Sequence, residues 1–246
     1  MKLYGKNPVL ERLKANPTTI QKIYVQEGHA DSGYIQKKAT KWGIAVYHVP
    51  PSKILKIARN VNSQGILADV KDFAYADYAD LLREAQAQRL SLVFLDGLTD
   101  PQNLGAMIRS LACLGEFAVI LPRKDSVDMT EAVLRVASGA DNYVAVAKVA
   151  NLSHAIAEAR KQGLTIVGAI VGEGQDLMTA RLSFPLGIVI GSEQKGIRDV
   201  IKDQLDLKVT IPMKQPRLSF NAAQAATILC YEITRQKKNK TTERSS

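Results

Sequence analysis

Three polar stretches hold the side chains best suited to chemistry. The first is Asp96-Gly97-Leu98-Thr99-Asp100-Pro101-Gln102-Asn103, with Arg109 a little further on. The second is Gly191-Ser192-Glu193-Gln194-Lys195-Gly196, and the third joins Ile211-Pro212-Met213 to Ser219-Phe220-Asn221. Each follows a short apolar run, so each reads as a strand that spills into a Gly- or Pro-marked loop. In an open α/β sheet the C-terminal ends of the strands are where ligands sit. Backbone groups freed in such loops, with a helix N-terminus beside them, suit a polar small molecule. Arg109 can fork onto a phosphate or sugar oxygen, although a solvated helix arginine has the same signature. Ordinary βα turns are the plain alternative for the loops.

The elements that must position these residues alternate along the chain. Asn7-Pro8 has the form of an N-cap followed by Pro at the first helical position. Strands at Ile20–Val25, Ile44–Val49 and Gly65–Val70, with helices at Tyr34–Trp42 and around Ile54–Ile57, form a small α/β unit over residues 1–72. Residues 73–89 read as a linker entering a helix. Beyond it the pattern is more regular, with strands at Ser91–Asp96, Phe117–Leu121, Tyr143–Ala147, Thr165–Val171, Ile188–Ile190 and Leu207–Ile211. Helices at Asn103–Leu114, Thr130–Ala137, Asn151–Gln162 and Asp199–Gln204 separate them, which predicts a doubly wound parallel sheet over residues 90–236. The stretch Ala222–Glu232 is apolar nearly all round, as befits a helix buried on several sides. Residues 237–246 are basic and read as a disordered tail.

Composition narrows the function. No run approaches the roughly 18 apolar residues needed to span a bilayer, and the N-terminus lacks a signal-peptide core. A cytoplasmic protein with no membrane partner is expected. The formal net charge is +9, which favours a polyanionic partner because cations gain affinity by releasing counterions from phosphates. His29, His48 and His154 are not clustered, and Cys113 and Cys230 lie far apart. No metal site is expected, and both cysteines read as small buried hydrophobes. Neither the dinucleotide-binding G-x-G-x-x-G fingerprint nor a P-loop is present, which disfavours a nicotinamide or ATP enzyme.

Taken in order, D-P-x-N-x-G-A-x-x-R, G-S-E-x-x-G, and I-P-M followed by S-x-N resemble the SpoU (TrmH-like) branch of the SPOUT RNA methyltransferases. The resemblance covers residues 90–236, and residues 1–72, with Asn62-Ser63-Gln64-Gly65, resemble the L30e-like RNA-binding domain of many members. It implies a deep trefoil knot, S-adenosylmethionine as cofactor, and methyl transfer to a ribose 2′-hydroxyl of RNA. The nearest subgroup in layout acts on a guanosine of 23S rRNA; an rRNA adenosine or a tRNA remains an alternative, as does a non-catalytic RNA-binding protein. The resemblance places Asn103, Arg109, Glu193, Ser219 and Asn221 in the catalytic site. It places Ala169, Ile170, Ile190, Gly191, Ile211, Met213, Phe220 and Asn221 around the cofactor, and implies a homodimer through the C-terminal helix. Gln194 and Gln215 stand where the family usually has Gly, and Ala223 where it has Ser; strain is expected wherever those glycines take positive φ.

Overall fold

The computed structural model describes residues 1–59, 61–215 and 218–243. By their contacts these divide into two compact units, one of residues 1–74 with 128–143, the other of residues 75–127 with 144–246.

The first unit is built on a four-stranded sheet. Its elements are β1 (Lys2–Tyr4), α1 (Lys6–Ala15), β2 (Ile20–Gln26), α2 (Ser32–Thr40), β3 (Ala45–Val49), α3 (Pro51–Ala58) and β4 (Ile66–Val70). The strand order is β1-β4-β2-β3; β2 and β3 are parallel, and β4 runs antiparallel to β1 and β2. The short β1 has no alternation long enough to be read from sequence. Helix α1 begins at Lys6 with Gly5 as N-cap, so Asn7 does not cap it. Gly5 has φ +99° and its N–H donates to Ile66 O at 2.9 Å. A glycine is what permits so abrupt an exit from the strand.

The second unit opens with α4 (Tyr78–Gln86), inside the stretch read as a linker, where Asp77 accepts from Ala79 N and caps the helix. Then come β5 (Ser91–Asp96), α5 (Pro101–Leu114) and β6 (Phe117–Pro122). Helix α6 (Glu131–Ala137) follows in sequence but packs with the first unit. The hydroxyl of Tyr4 and the backbone N–H of Lys2 both donate to Glu131, at 3.0 and 2.7 Å. Asp141, just beyond, pairs with the buried Arg12 at 2.5 Å. The chain returns to the second unit as β7 (Ala145–Val149), α7 (Leu152–Lys161), β8 (Thr165–Ala169) and β9 (Gln175–Asp176). It ends with β10 (Leu186–Gly191), α8 (Asp199–Lys202), β11 (Leu207–Thr210) and α9 (Ala222–Glu243). Helix thus runs through most of the stretch read as a disordered tail, and residues 244–246 lie outside those described.

The second sheet has seven strands in the order β7-β6-β5-β10-β8-β11-β9, every pairing parallel. It is the doubly wound α/β layout expected, with the two-residue β9 as an added edge. All six residues of β5 and of β6 are buried. That burial follows from helices on both faces, which makes a parallel strand a continuous apolar run. The strand order reverses between β5 and β10. Gly191 pairs in register with Asp96 at that point, so two of the three polar loops leave the sheet side by side.

Two corrections concern the helices. Cys113 is exposed and only Cys230 is buried. The apolar stripe of α5 runs through Leu104, Met107, Ile108 and Leu111; Cys113 falls one turn after the exposed Arg109, on the opposite flank. Helix α9 buries Ala222, Ala226, Leu229, Cys230 and Ile233 within the chain, packing on α5 with Thr227 Oγ1 2.8 Å from Ser110 Oγ. Tyr231 is left 62% exposed.

Candidate active site

The loop after β5 reaches α5 through a local helix-start signal. Asp100 accepts from Gln102 N at 2.9 Å, and Pro101 occupies the first turn, where its missing N–H costs nothing. This start puts Asn103 one turn inside the helix, buried and facing the neighbouring loop. Its Nδ2 donates to Glu193 Oε1 at 2.8 Å.

The loop after β10 is shaped by its glycines. A β-carbon on Gly191 would lie 2.1 Å from the carbonyl carbon of Gly196, so the loop closes on its own origin only if no side chain is there. Gly196 has φ +64°, and its N–H returns to Ser192 O at 2.8 Å. Gln194 is not among the residues with positive φ, so the strain expected there does not arise. The loop is also clamped from outside. Asp96, with its side chain 1% exposed, accepts from Arg198 N at 2.8 Å and Arg198 Nε at 2.7 Å.

The third loop ends in a reciprocal cap. Asn221 Oδ1 accepts from Gln224 N at 2.8 Å, and Gln224 Oε1 accepts from Asn221 N at 3.3 Å, the geometry of a capping box. The next N–H, that of Ala222, donates to Glu193 Oε1 at 3.3 Å. One carboxylate oxygen therefore ties the start of α5 to the start of α9. A carboxylate is favoured at both positions, since helix N-termini carry partial positive charge.

Two clefts meet at this knot of contacts. One, of about 480 Å³, is lined by Ala169, Ile170, Ile190, Gly191, Ile211, Met213, Ser219 and Phe220, with Glu173, Glu193 and Lys195 at its edges. The other, of about 560 Å³, is lined by Asp96, Thr99, Asn103, Lys124, Asp125, Asn151, Glu193 and Arg198. Residues 192, 193, 195 and 196 belong to both, so the loop after β10 is the wall between them. Both volumes lie within the ~300–1,000 Å³ usual for small-molecule sites.

The structure thus brings together Asn103, Glu193 and the first turn of α9, and sets seven of the eight expected cofactor residues around one cleft. The eighth, Asn221, caps the helix beside it. Arg109 lies outside the lining of both clefts and is exposed. Ala223 is buried in α9 and lines neither cleft. The Asp96–Arg198 clamp and the second cleft were not foreseen. The one available signal was a carboxylate ending a buried strand, because nothing local to Arg198 marks a partner so distant in sequence. Among the described residues no group of three or more His, Cys, Asp or Glu side chains has the arrangement of a metal site. No helix among them is long and apolar enough to cross a membrane.

Comparison with known proteins bears on the family and the fold. Residues 91–231 match the SpoU rRNA Methylase family, and residues 2–76 match the RNA 2′-O ribose methyltransferase substrate-binding family. A protein of Bacillus subtilis named as a TrmH-family tRNA/rRNA methyltransferase is 31% identical over 237 residues, spanning 95% of this chain and 94% of its own. A protein of Mycolicibacterium vanbaalenii named as an uncharacterized tRNA/rRNA methyltransferase is 37% identical over 243 residues, 96% of this chain and 76% of its own. Among solved structures, the SpoU methyltransferase AviRb of Streptomyces viridochromogenes, in complex with AdoMet, superposes with a TM-score of 0.79. That match spans 96% of this chain and 90% of the other, and at 21% identity it speaks for the fold. The chain belongs to the SpoU rRNA methylase family of RNA methyltransferases, with the family's substrate-binding unit at its N-terminal end.

Proposed function

We propose that this protein transfers a methyl group from S-adenosylmethionine to a ribose 2′-hydroxyl of RNA, with a guanosine of 23S rRNA as the first target to test. The observation that carries the reading is the double engagement of Glu193 Oε1, by Asn103 Nδ2 and by Ala222 N, in the wall between two clefts. Such a wall suits a bimolecular displacement, in which donor and acceptor must meet in one fixed geometry.

The smaller cleft fits the cofactor. Its lining is small and apolar at Ala169, Ile190, Gly191 and Ile211, a surface that would suit the flat faces of an adenine. Met213 and Phe220 flank it, and Ser219 offers a hydroxyl. When bound, S-adenosylmethionine supplies a methyl group already activated on a sulfonium centre. The chain's task is then alignment and assistance to loss of the hydroxyl proton. Asn103, locked by Glu193, holds the target ribose from the side of the larger cleft, while Ser219 and the Asn221 cap fix the start of α9. Lys195, on the shared wall, offsets phosphate charge. Arg109, on the outer face of α5, is assigned to an RNA phosphate, which its two-pronged guanidinium suits.

The same reading takes the protein to be a cytoplasmic homodimer, supported by the exposed Cys113 and Tyr231 on the packed α5–α9 pair. It also carries the trefoil knot, supported by the path of the chain, which leaves β11 beyond β8 and returns to set Ala222 against Glu193. Mapping ribose methylation across rRNA and tRNA in a deletion strain tests the assignment. Loss of one 2′-O-methylguanosine in 23S rRNA is expected. Loss confined to a tRNA or to an rRNA adenosine would correct the target, and an unchanged map would overturn the activity.

A further inference from the structure

We propose that the β3 edge of the first unit, with its flanks α2 and α3, is a docking surface for single-stranded RNA. This rests on RNA being the substrate and adds which face takes it and by what chemistry.

Between Asp31 and Asp69 the chain has no carboxylate at all, while it carries Lys37, Lys38, Lys41, Lys53, Lys56 and Arg59. This acid-free stretch is α2, β3, α3 and their connections. Among the described residues strand β3 pairs only with β2, so it forms an open edge of the sheet. The side chain of Val49 packs with Ile54 and Ala58 of α3, while His48, pointing to the opposite face, lies with its Nε2 2.6 Å from Ser32 Oγ at the start of α2. The two helices therefore flank the edge on opposite faces, and their cations surround it.

Lysines beside an open sheet edge have a plain use, since they discourage pairing with other chains. They do not account for the aromatic residues between them. Tyr34, Trp42 and Tyr47 are 45%, 56% and 49% exposed, all within the acid-free stretch. Tyr47 stacks on Tyr24 of the adjacent strand with centroids 5.6 Å apart and planes at 30°. Lys38 Nζ lies 5.5 Å from the centre of the Tyr34 ring. The stacked pair presents a supported aromatic face, and exposed rings set among cations are what unpaired bases and their phosphates require. A duplex offers no free base faces, which favours single strands, loops or bulges. The carboxylates that border the patch are largely paired already: Asp31 with Lys6, and Asp69 with Lys2 and Lys22. Glu27, after β2, is the exception.

The test is titration of the full chain with a labelled single-stranded RNA and with an RNA duplex, over a range of salt. Trp42→Ala and Tyr47→Ala are each expected to weaken single-strand binding about tenfold, with little effect on the duplex. The triple change Lys37→Gln, Lys38→Gln, Lys41→Gln is expected to reduce the log–log salt slope by about 2. Lys161→Gln, on α7, serves as the control. Far-UV circular dichroism and the unfolding midpoint of these variants should stay at the wild-type level, which shows that the first unit is folded, and S-adenosylmethionine binding should be unchanged. If the wild type binds RNA and the variants bind equally with an unchanged slope, the surface is wrong while the activity stands, and the patch faces a protein instead. If the wild type binds neither RNA, the substrate reading fails first.

Discussion

Two buried aspartates contrast an ion pair that holds shape with an ion pair that borders a ligand cleft. Asp141 and its partner Arg12 are both out of water, with side chains 0% and 8% exposed. Asp96 is as deeply buried at 1%, yet its partner Arg198 is 56% exposed and lines the larger cleft. The closed pair is incompletely satisfied: among the described residues Arg12 Nε and Asp141 Oδ1 lack hydrogen-bond partners. Burial pushes the Asp141 carboxyl up from its usual range, and the Arg12 guanidinium pulls it back. Such a pair adds little net stability for its desolvation cost, but it is costly to break one side at a time. It fixes where the segment 128–143 sits in the first unit. The open pair instead anchors a loop whose other side is free to meet a ligand.

This contrast is sharpest in the substitution with the largest expected effect. Asp141→Ala leaves a buried, unpaired guanidinium and should cost about 3–5 kcal/mol in denaturant unfolding of the first unit. A change below about 1 kcal/mol would erase the distinction between the pairs. Next comes Asn103→Ala, expected to lower kcat/KM about 100-fold through misplacement of the reacting groups, with the unfolding midpoint nearly unchanged. A large stability loss with intact turnover would move Asn103 to the structural side. Arg109→Lys retains charge but not the planar fork, so RNA affinity should fall about tenfold; near wild-type affinity and turnover would exclude the phosphate role. The smallest effect is expected for Asp96→Asn, which keeps the shape and part of the hydrogen bonding to Arg198. It should raise the KM for the cofactor several-fold at a stability cost of about 1 kcal/mol.

What could be read from the sequence follows the same division. The loops at the sheet edge were legible because strand-ending glycines and prolines are local signals, and Gly191 in particular reports a backbone approach that no side chain survives. The buried strands β5 and β6 announced themselves as unbroken apolar runs. Long-range pairings did not. Nothing around Glu131 or Asp141 tells that α6 belongs with the first unit, since the partners Lys2, Tyr4 and Arg12 lie more than a hundred residues away. The apolar helical pattern around Cys113 suggests an inside position, whereas one residue of helical phase decides its face. The charge density of the C-terminal stretch reads as disorder, yet the helix runs through Glu243 because Lys and Glu propagate helices well.

In the proposed reaction a sulfonium donor and a sugar hydroxyl meet across the Glu193 wall. The most direct measurement is transfer of a radiolabelled methyl group from S-adenosylmethionine to ribosomal RNA by the purified full chain, followed by alkaline digestion. Methylated ribose blocks cleavage at its own phosphodiester, so label recovered in alkali-resistant dinucleotides is the predicted result. Label on a base in mononucleotides, or no transfer by a chain that binds both partners, would contradict it.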